Sequence, residues 1–201
     1  MPSLINQFLG LISAPLTSER RGQRLHILAR GLDWDRLLPL AVEQRVAPLL
    51  HWHLREHGIA CPGHIRRTLA AIVMRQRSIA AFQAAPLGDI GDALSGAGIE
   101  FVVLKGGALA HLLYSEPALR PMDDLDILVP PALAEAARHA LSQIGFDAPA
   151  PMSRYDRLLH HLPVARRLSD GILVGVDLHT TAFNSMLAYD LSFRTLARPL
   201  T

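Results

Sequence analysis

The sequence has little of several residue types that particular protein classes require. Of its 201 residues only Cys61 is a cysteine, which excludes an intramolecular disulfide and any thiol pair for zinc and predicts a reducing cytoplasm as the location. Lys105 is the only lysine, the net charge is +2 and aromatic residues make up 5%, which argues against a large basic or stacking surface for duplex nucleic acid. No run of about eighteen uncharged apolar residues occurs, so no membrane span is expected.

The first half of the chain has the pattern of helices. Apolar residues recur at intervals of three and four in "DWDRLLPLAVEQRVAPLLHWHLREHG", with Asp33 suited to an N-cap and Gly58 to a stop. A second helical pattern starts near Pro62 and predicts one or two helices, interrupted or bent around Pro86 and ended by the glycines near position 98.

The second half alternates short strand patterns with helical ones. "IEFVVLK", "DLDILV", "LPVARRL" and "ILVGVDLH" predict strands, the last two joined by a Ser-Asp-Gly turn, while "GALAHLLYS" and "PALAEAARHALSQIG" predict helices. We therefore predict an α+β protein in which a helical N-terminal region, residues 1–95, packs on a small mixed β-sheet core, residues 96–180. Residues 181–201 have the pattern of the start of a C-terminal segment, and we expect part of that segment to be missing.

Two acids lie in the strand pattern "DLDILV". Asp124 and Asp126 are two residues apart, so on a strand their side chains share one face while Leu125 and Ile127 point to the other. Like charges that close repel unless a cation bridges them, and oxygen ligands suit Mg²⁺ or Mn²⁺. The alternative is that the acids cap a surface strand.

The glycine pair in "LKGGAL" stands where a strand turns directly into a helix. Gly106 and Gly107 would let a ligand approach the backbone, and the start of the new helix favours an anion, so the junction suits a phosphate. A side chain at Gly107 would then obstruct that phosphate. The alternative is ordinary turn chemistry, and the spacing is not that of a Walker A loop.

Together these motifs resemble the DNA polymerase beta-like nucleotidyltransferase superfamily, whose mark is a Gly-Gly or Gly-Ser after a strand and then an acid-apolar-acid strand. More closely, "VVLKGGALAHLLYSEPALRPMDDLDILV", "DWDRLLPLAVEQRVAPLL" and "VDLHT" are similar to the bacterial group called uncharacterised nucleotidyltransferases, over about residues 32–179. The resemblance implies metal-dependent transfer of a nucleotidyl group from a nucleoside triphosphate.

Position by position, the resemblance implies that Gly106 and Gly107 hold the triphosphate. Asp124 and Asp126 would ligate the metals, with Asp177 in "GVDLH" as the third acid, either a metal ligand or a general base. Gly107 stands where many members of the superfamily have Ser, which removes one hydroxyl contact to phosphate. The interval between Gly107 and Asp124 is also longer than in the compact superfamily pattern.

Three further residues have two interpretations each. Arg120, in "ALRPMDD", would either neutralise the departing pyrophosphate or orient the acidic strand. Lys105 would either reach a phosphate or lie in solvent at a strand end. His179 is interpreted as an ordinary residue at the end of a strand beside Asp177.

We therefore predict a Mg²⁺- or Mn²⁺-dependent enzyme that moves a nucleoside monophosphate group from a nucleoside triphosphate to a hydroxyl acceptor. The acceptor, a protein, a peptide or a small molecule, is not specified by the sequence. The alternative is a catalytically inactive nucleotide-binding or scaffold protein of the same fold. Retention of the three acids favours the enzyme, since a binding-only descendant needs none of them.

Overall fold

The protein is described by a computed structural model over residues 29–147, 164–169, 171–182 and 193. Within these ranges it contains five α-helices with defined bounds, two short 3-10 turns and a four-stranded mixed sheet. The predicted α+β fold class is confirmed. The chain groups into two compact units, Met1–Ala80 with Tyr114–Pro121, and Ala81–Leu113 with Met122–Thr201.

Two short helices begin the described part of the first unit, α1 (Trp34–Glu43) and α2 (Ala47–Glu56). Asp33 caps α1 as predicted, because its carboxylate accepts a hydrogen bond of 3.1 Å from the backbone N–H of Arg36. Between the helices Arg45 takes a φ of +58°. The fully buried core of this unit includes leucines from both helices and from the helix that follows, Leu37, Leu50 and Leu69.

A single helix, α3, runs from Gly63 to Gly96. Pro86 lies inside it, so the alternative of two helices separated at this proline is wrong. The division between the two units falls within α3, after Ala80. Gly98, with a φ of +70°, follows the helix and ends it as predicted. No described helix combines the length and the apolar character that crossing a membrane requires.

The second unit contains the sheet. Its strands are β1 (Val102–Val103), β2 (Asp124–Leu128), β3 (Ala165–Ser169) and β4 (Ile172–His179), in the spatial order β1-β2-β4-β3. β2 is antiparallel to β1 and parallel to β4, and β3 forms the predicted antiparallel hairpin with β4. β1 is shorter than its sequence pattern because the chain enters helix α4 (Lys105–Leu112) after Leu104.

One face of this sheet is covered by apolar side chains. A 3-10 turn (Pro131–Leu133) leads into helix α5 (Ala134–Gln143), whose buried residues join those of α3 and the strands in one core. The strand residues of that core are Leu125, Ile127, Ala165, Val174, Val176 and Leu178. Because side chains alternate along a strand, the residues between these point to the opposite face, which is the one that carries the acids.

Candidate active site

The acids of β2 and β4 meet on one face of the sheet. Asp126 lies directly opposite Asp177, and Asp124 lies directly opposite Gly175, in the parallel pairing of the two strands. Directly paired residues on neighbouring strands point to the same face, with their backbones about 4.8 Å apart. The predicted return of Asp177 to the Asp124 and Asp126 pair is therefore confirmed as a position in the sheet.

Two basic side chains bind Asp126. The imidazole Nε2 of His179 lies 2.7 Å from Asp126 Oδ1 and 3.2 Å from Asp177 Oδ2. The ammonium Nζ of Lys105 lies 2.6 Å from the same Oδ1 atom of Asp126. Asp126 is 6% exposed and His179 is 1% exposed. A buried charge needs compensation of this kind, so the cluster is held together by charge-assisted hydrogen bonds.

The cluster shifts the pKa values of its members in different directions. Burial raises the pKa of Asp124, and the neighbouring charges of Asp126 and Asp177 raise it further. Burial alone would raise the pKa of Asp126, but the hydrogen bonds from His179 and Lys105 lower it overall. A cation placed beside Asp124 would therefore favour the ionised form of this carboxylate.

His179 is protonated over the neutral pH range. Burial alone lowers its pKa, but the hydrogen bonds to Asp126 and Asp177 outweigh burial and raise it to about 9. A protonated imidazole donates hydrogen bonds and has no lone pair for a metal. His179 in this state orients the two carboxylates through the hydrogen bonds of its Nε2 atom.

The donor set fits a hard divalent cation. Asp126, Asp177 and His179 each offer a ligand atom, and these atoms lie within 4.8 Å of one another. Carboxylate oxygens suit Mg²⁺ or Mn²⁺. Asp124 is outside that group but lies on the same face of the sheet, two residues before Asp126 on β2.

Lys105 differs from the solvent-exposed interpretation offered by the sequence. It is the first residue of α4 and has a φ of +45°, a conformation that is uncommon for a residue with a side chain. Its side chain is 46% exposed and its ammonium group is paired with Asp126. Lys105 thus belongs to the acidic cluster while part of its side chain remains accessible to solvent.

The two glycines at the start of α4 are buried by their neighbours. A Cβ atom added to Gly107 would lie 2.8 Å from Val103 Cγ1, and one added to Gly106 would lie 3.2 Å from Met122 Cβ. Contacts at 2.8 Å essentially never occur for real Cβ atoms. The absence of a side chain at Gly107 is therefore required by the packing of α4 against β1, and its contact with a triphosphate stays a prediction.

Arg120 follows the 3-10 turn Pro117–Leu119 and belongs to the first compact unit, whereas the acids belong to the second. Its part in pyrophosphate binding or in orienting β2 stays a prediction.

His179 is the residue of the cluster that sequence reasoning missed. The signal was present, because the alternation of "ILVGVDLH" places His179 on the same strand face as Asp177. A histidine two residues after an acid on a strand therefore suggests a shared hydrogen-bond network, provided that the strand is paired with another acidic strand.

Comparison with protein families gives this geometry a context. The family model described as uncharacterised nucleotidyltransferase matches residues 30–200, a range that includes the glycine pair and the whole acidic cluster. The chain belongs to this family. Membership implies transferase activity with a nucleoside triphosphate as substrate. A search of the curated proteins found no match.

Proposed function

We propose that the protein is a divalent-metal-dependent nucleotidyltransferase that transfers a nucleoside monophosphate group from a nucleoside triphosphate to a hydroxyl acceptor and releases pyrophosphate. The observation that carries this proposal is the direct pairing of Asp126 with Asp177, with Asp124 on the same face of the sheet. Three carboxylates that share one face repel one another unless cations are near, and the pKa of Asp124 is raised first by its burial and then by the charges of Asp126 and Asp177.

The carboxylates of Asp124 and Asp126 would hold the metal, with Asp177 beside them on the same face of the sheet. A divalent cation at this site would supply Lewis-acid polarisation of the acceptor hydroxyl and of the phosphate oxygens. The remaining contribution of the protein is position and charge. Asp126 and Asp177 are fixed by the His179 imidazolium, whose donor atom lies within 3.2 Å of both, so their geometry is set before the substrate binds.

The residues at the start of α4 would bind the triphosphate. The backbone N–H groups of Gly106 and Gly107 lie in the first turn of the helix, where the unpaired N–H groups and the helix dipole favour an anion. Lys105 would neutralise phosphate charge next to them.

Asp177 would act as the base for the acceptor. In the transfer, the acceptor oxygen forms a bond to the α-phosphorus and the bond from that phosphorus to the bridging α,β-oxygen breaks. The hydroxyl proton goes to Asp177, and pyrophosphate carries away the electron pair of the broken bond. Asp177 is suited to this because it lies on β4, one strand further from α4 than Asp126.

Replacement of the metal-binding carboxylates tests the proposal. The thermal unfolding of the wild type should shift upwards when Mg²⁺ and a non-hydrolysable nucleoside triphosphate analogue are added together, because a ligand that binds the folded state stabilises it. Asp126→Asn should lose that shift, since it removes a charged ligand from the cation site. Asp92→Asn is the matched control, because Asp92 is an exposed acid on α3 and should keep the shift.

The alternative of an inactive nucleotide-binding protein is tested in the same experiment by measuring pyrophosphate release from each of the four ribonucleoside triphosphates in a cell lysate that supplies acceptors. A wild type that shows the thermal shift but never releases pyrophosphate would support the inactive protein. A wild type that lacks the shift, or an Asp126→Asn variant that keeps it, would refute the metal assignment.

A further inference from the structure

The face of the sheet that carries the acids is bordered by different elements at its two edges. On the β1 side, the backbone N–H of Leu104 donates to Asp126 O at 2.8 Å, and α4 starts at the next residue. At the other edge, the spatial neighbour of β4 is β3. The proposed triphosphate site therefore flanks the Asp126 and Asp177 pair on one side only, and β3 borders the opposite side.

Arg166 of β3 points to this acidic face. It lies directly opposite Gly175 in the antiparallel pairing of β3 with β4, and Gly175 in turn lies directly opposite Asp124 of β2. Since paired residues point to the same face, Asp124, Gly175 and Arg166 form one row across three strands. The Cα atoms at the two ends of the row are two strand spacings, about 10 Å, apart.

Gly175 leaves the middle of that row without a side chain. A Cβ atom added there would lie 3.3 Å from Val164 Cγ1 and 3.5 Å from Asp124 Cβ. Any larger residue would place atoms above the sheet between Asp124 and Arg166. The row thus presents a carboxylate at one end, a guanidinium at the other and, between them, a glycine beside the Val164 side chain.

The two neighbouring arginines of β3 differ in how their side chains are engaged. Arg167 points to the other face, where it pairs with Asp89 at 2.6 Å and donates to Ile144 O at 3.1 Å. Arg166 is exposed, and within the described part of the chain its guanidinium makes no ion pair. Its backbone makes two hydrogen bonds of 2.9 Å with Asp147.

We propose that Arg166 binds an anionic group of the acceptor, so that the acceptor is a hydroxyl compound that carries a phosphate or a carboxylate close to its reacting hydroxyl. This inference rests on the proposed function, which places the triphosphate on the α4 side. The attacking hydroxyl approaches roughly in line with the leaving pyrophosphate, from the opposite side. That side is β4 and β3, where Asp177 would accept the proton and Arg166 would bind the anion through its planar fork of donors.

A surface pair between Arg166 and Asp147 is the competing explanation. Asp147 is exposed and lies opposite Arg166 in an isolated bridge, so the two side chains share a face. A pair of that kind would contribute little to stability and would not discriminate between anions. This competing explanation predicts that Arg166→Gln and Asp147→Asn change the free energy of unfolding by equal, small amounts. It also predicts that neither substitution changes the affinity for anions.

The test measures binding of two simple probes, inorganic phosphate and acetate, by NMR titration of the protein saturated with Mg²⁺ and a non-hydrolysable nucleoside triphosphate analogue. Saturation keeps the probes out of the triphosphate site. We expect one probe to bind the wild type and the dissociation constant to rise at least tenfold or so in Arg166→Gln, because a charge-assisted hydrogen bond is lost. Arg166→Lys should fall between the two, and the probe that binds identifies the anion.

Two controls make the outcomes separable. Arg75→Gln removes an exposed arginine from α3 and should bind the probe as the wild type does, and Asp147→Asn should bind it at least as tightly. Equal probe affinity in Arg166→Gln and the wild type, or no binding of either probe to the analogue-saturated wild type, would overturn the inference and leave the proposed function standing. Failure of the analogue itself to bind would overturn the proposed function.

Discussion

Substitution of Gly107 distinguishes a requirement for close packing at this position from a role in binding phosphate. The sequence pattern predicts that a side chain here obstructs a phosphate, whereas the structure places an added Cβ 2.8 Å from Val103 Cγ1 and 3.9 Å from Leu125 Cδ2. Val103 is β-branched, so its χ1 angle has few alternatives. We therefore expect Gly107→Ala to lower the free energy of unfolding.

The expected magnitude follows from two opposing effects. Overpacking of a well-filled site costs about 1–3 kcal/mol. Replacement of glycine by alanine within a helix stabilises the folded state by about 1 kcal/mol. The net loss in the free energy of unfolding for Gly107→Ala is therefore roughly 0–2 kcal/mol. In a Val103→Ala background the clashing atom is gone, and the same substitution should become neutral or stabilising. The double-mutant cycle should therefore give an interaction energy of about 1–3 kcal/mol between positions 103 and 107.

Urea unfolding of the four proteins of the cycle, at one pH and ionic strength, measures these free energies. Gly88→Ala is the matched control, because Gly88 also lies in a helix and an added Cβ meets nothing within 4 Å; it should be neutral or stabilising. An identical cost of Gly107→Ala with and without Val103 would refute the packing argument. If Gly107→Ala kept wild-type stability but lost the shift induced by the nucleotide analogue, the phosphate interpretation would stand alone.

Two further predictions concern the acidic cluster. The protonated state of His179 stabilises the folded protein fully below its unfolded-state pKa of 6.5, and this contribution is lost as the pH rises through its folded-state pKa of about 9. Urea unfolding between pH 6 and 10 should therefore show that the free energy of unfolding of the wild type decreases by something on the order of 3 kcal/mol, with a flatter profile in His179→Gln. Parallel profiles of the two proteins would contradict the protonated state assigned to His179. Asp177→Asn should keep the affinity for the triphosphate analogue within a few-fold of the wild type. It should lower the rate of pyrophosphate release by roughly a hundredfold or more, which is the effect expected when a general base is lost. An unchanged rate would exclude Asp177 as that base.

The strand pairing of the site could be predicted because it depends on local patterns. Alternation in "DLDILV" and "ILVGVDLH" fixed which side chains share a face, and the Ser-Asp-Gly turn implied the hairpin. A slip of one residue would move the apolar side chains of a strand to its opposite face, so such a slip is excluded where one face is buried. The placement of Asp177 next to Asp126 follows once the hairpin and β2 belong to one sheet.

The environment of Gly107 and Lys105 could not be predicted in the same way. A glycine at the start of a helix has no side chain whose character would indicate the direction it faces, and only the crossing of α4 over β1 decides that it faces Val103. The contact between Lys105 and Asp126 spans 21 positions of the sequence and depends on an uncommon backbone conformation at Lys105. Neither feature has a periodic signal.

The two basic residues of the cluster differ in how exposed their side chains are to solvent. Both reach the same Oδ1 atom of Asp126, but His179 is 1% exposed and confined by the sheet, whereas the Lys105 side chain is 46% exposed. The buried imidazolium also contacts Asp177, so it holds both carboxylates at once. The Lys105 ammonium can leave Asp126 by rotation about its own side chain, and the incoming charge that most favours such a departure is the triphosphate beside α4. The same lysine that balances the acids in the absence of substrate is therefore the one that we expect to contact the phosphate when substrate binds.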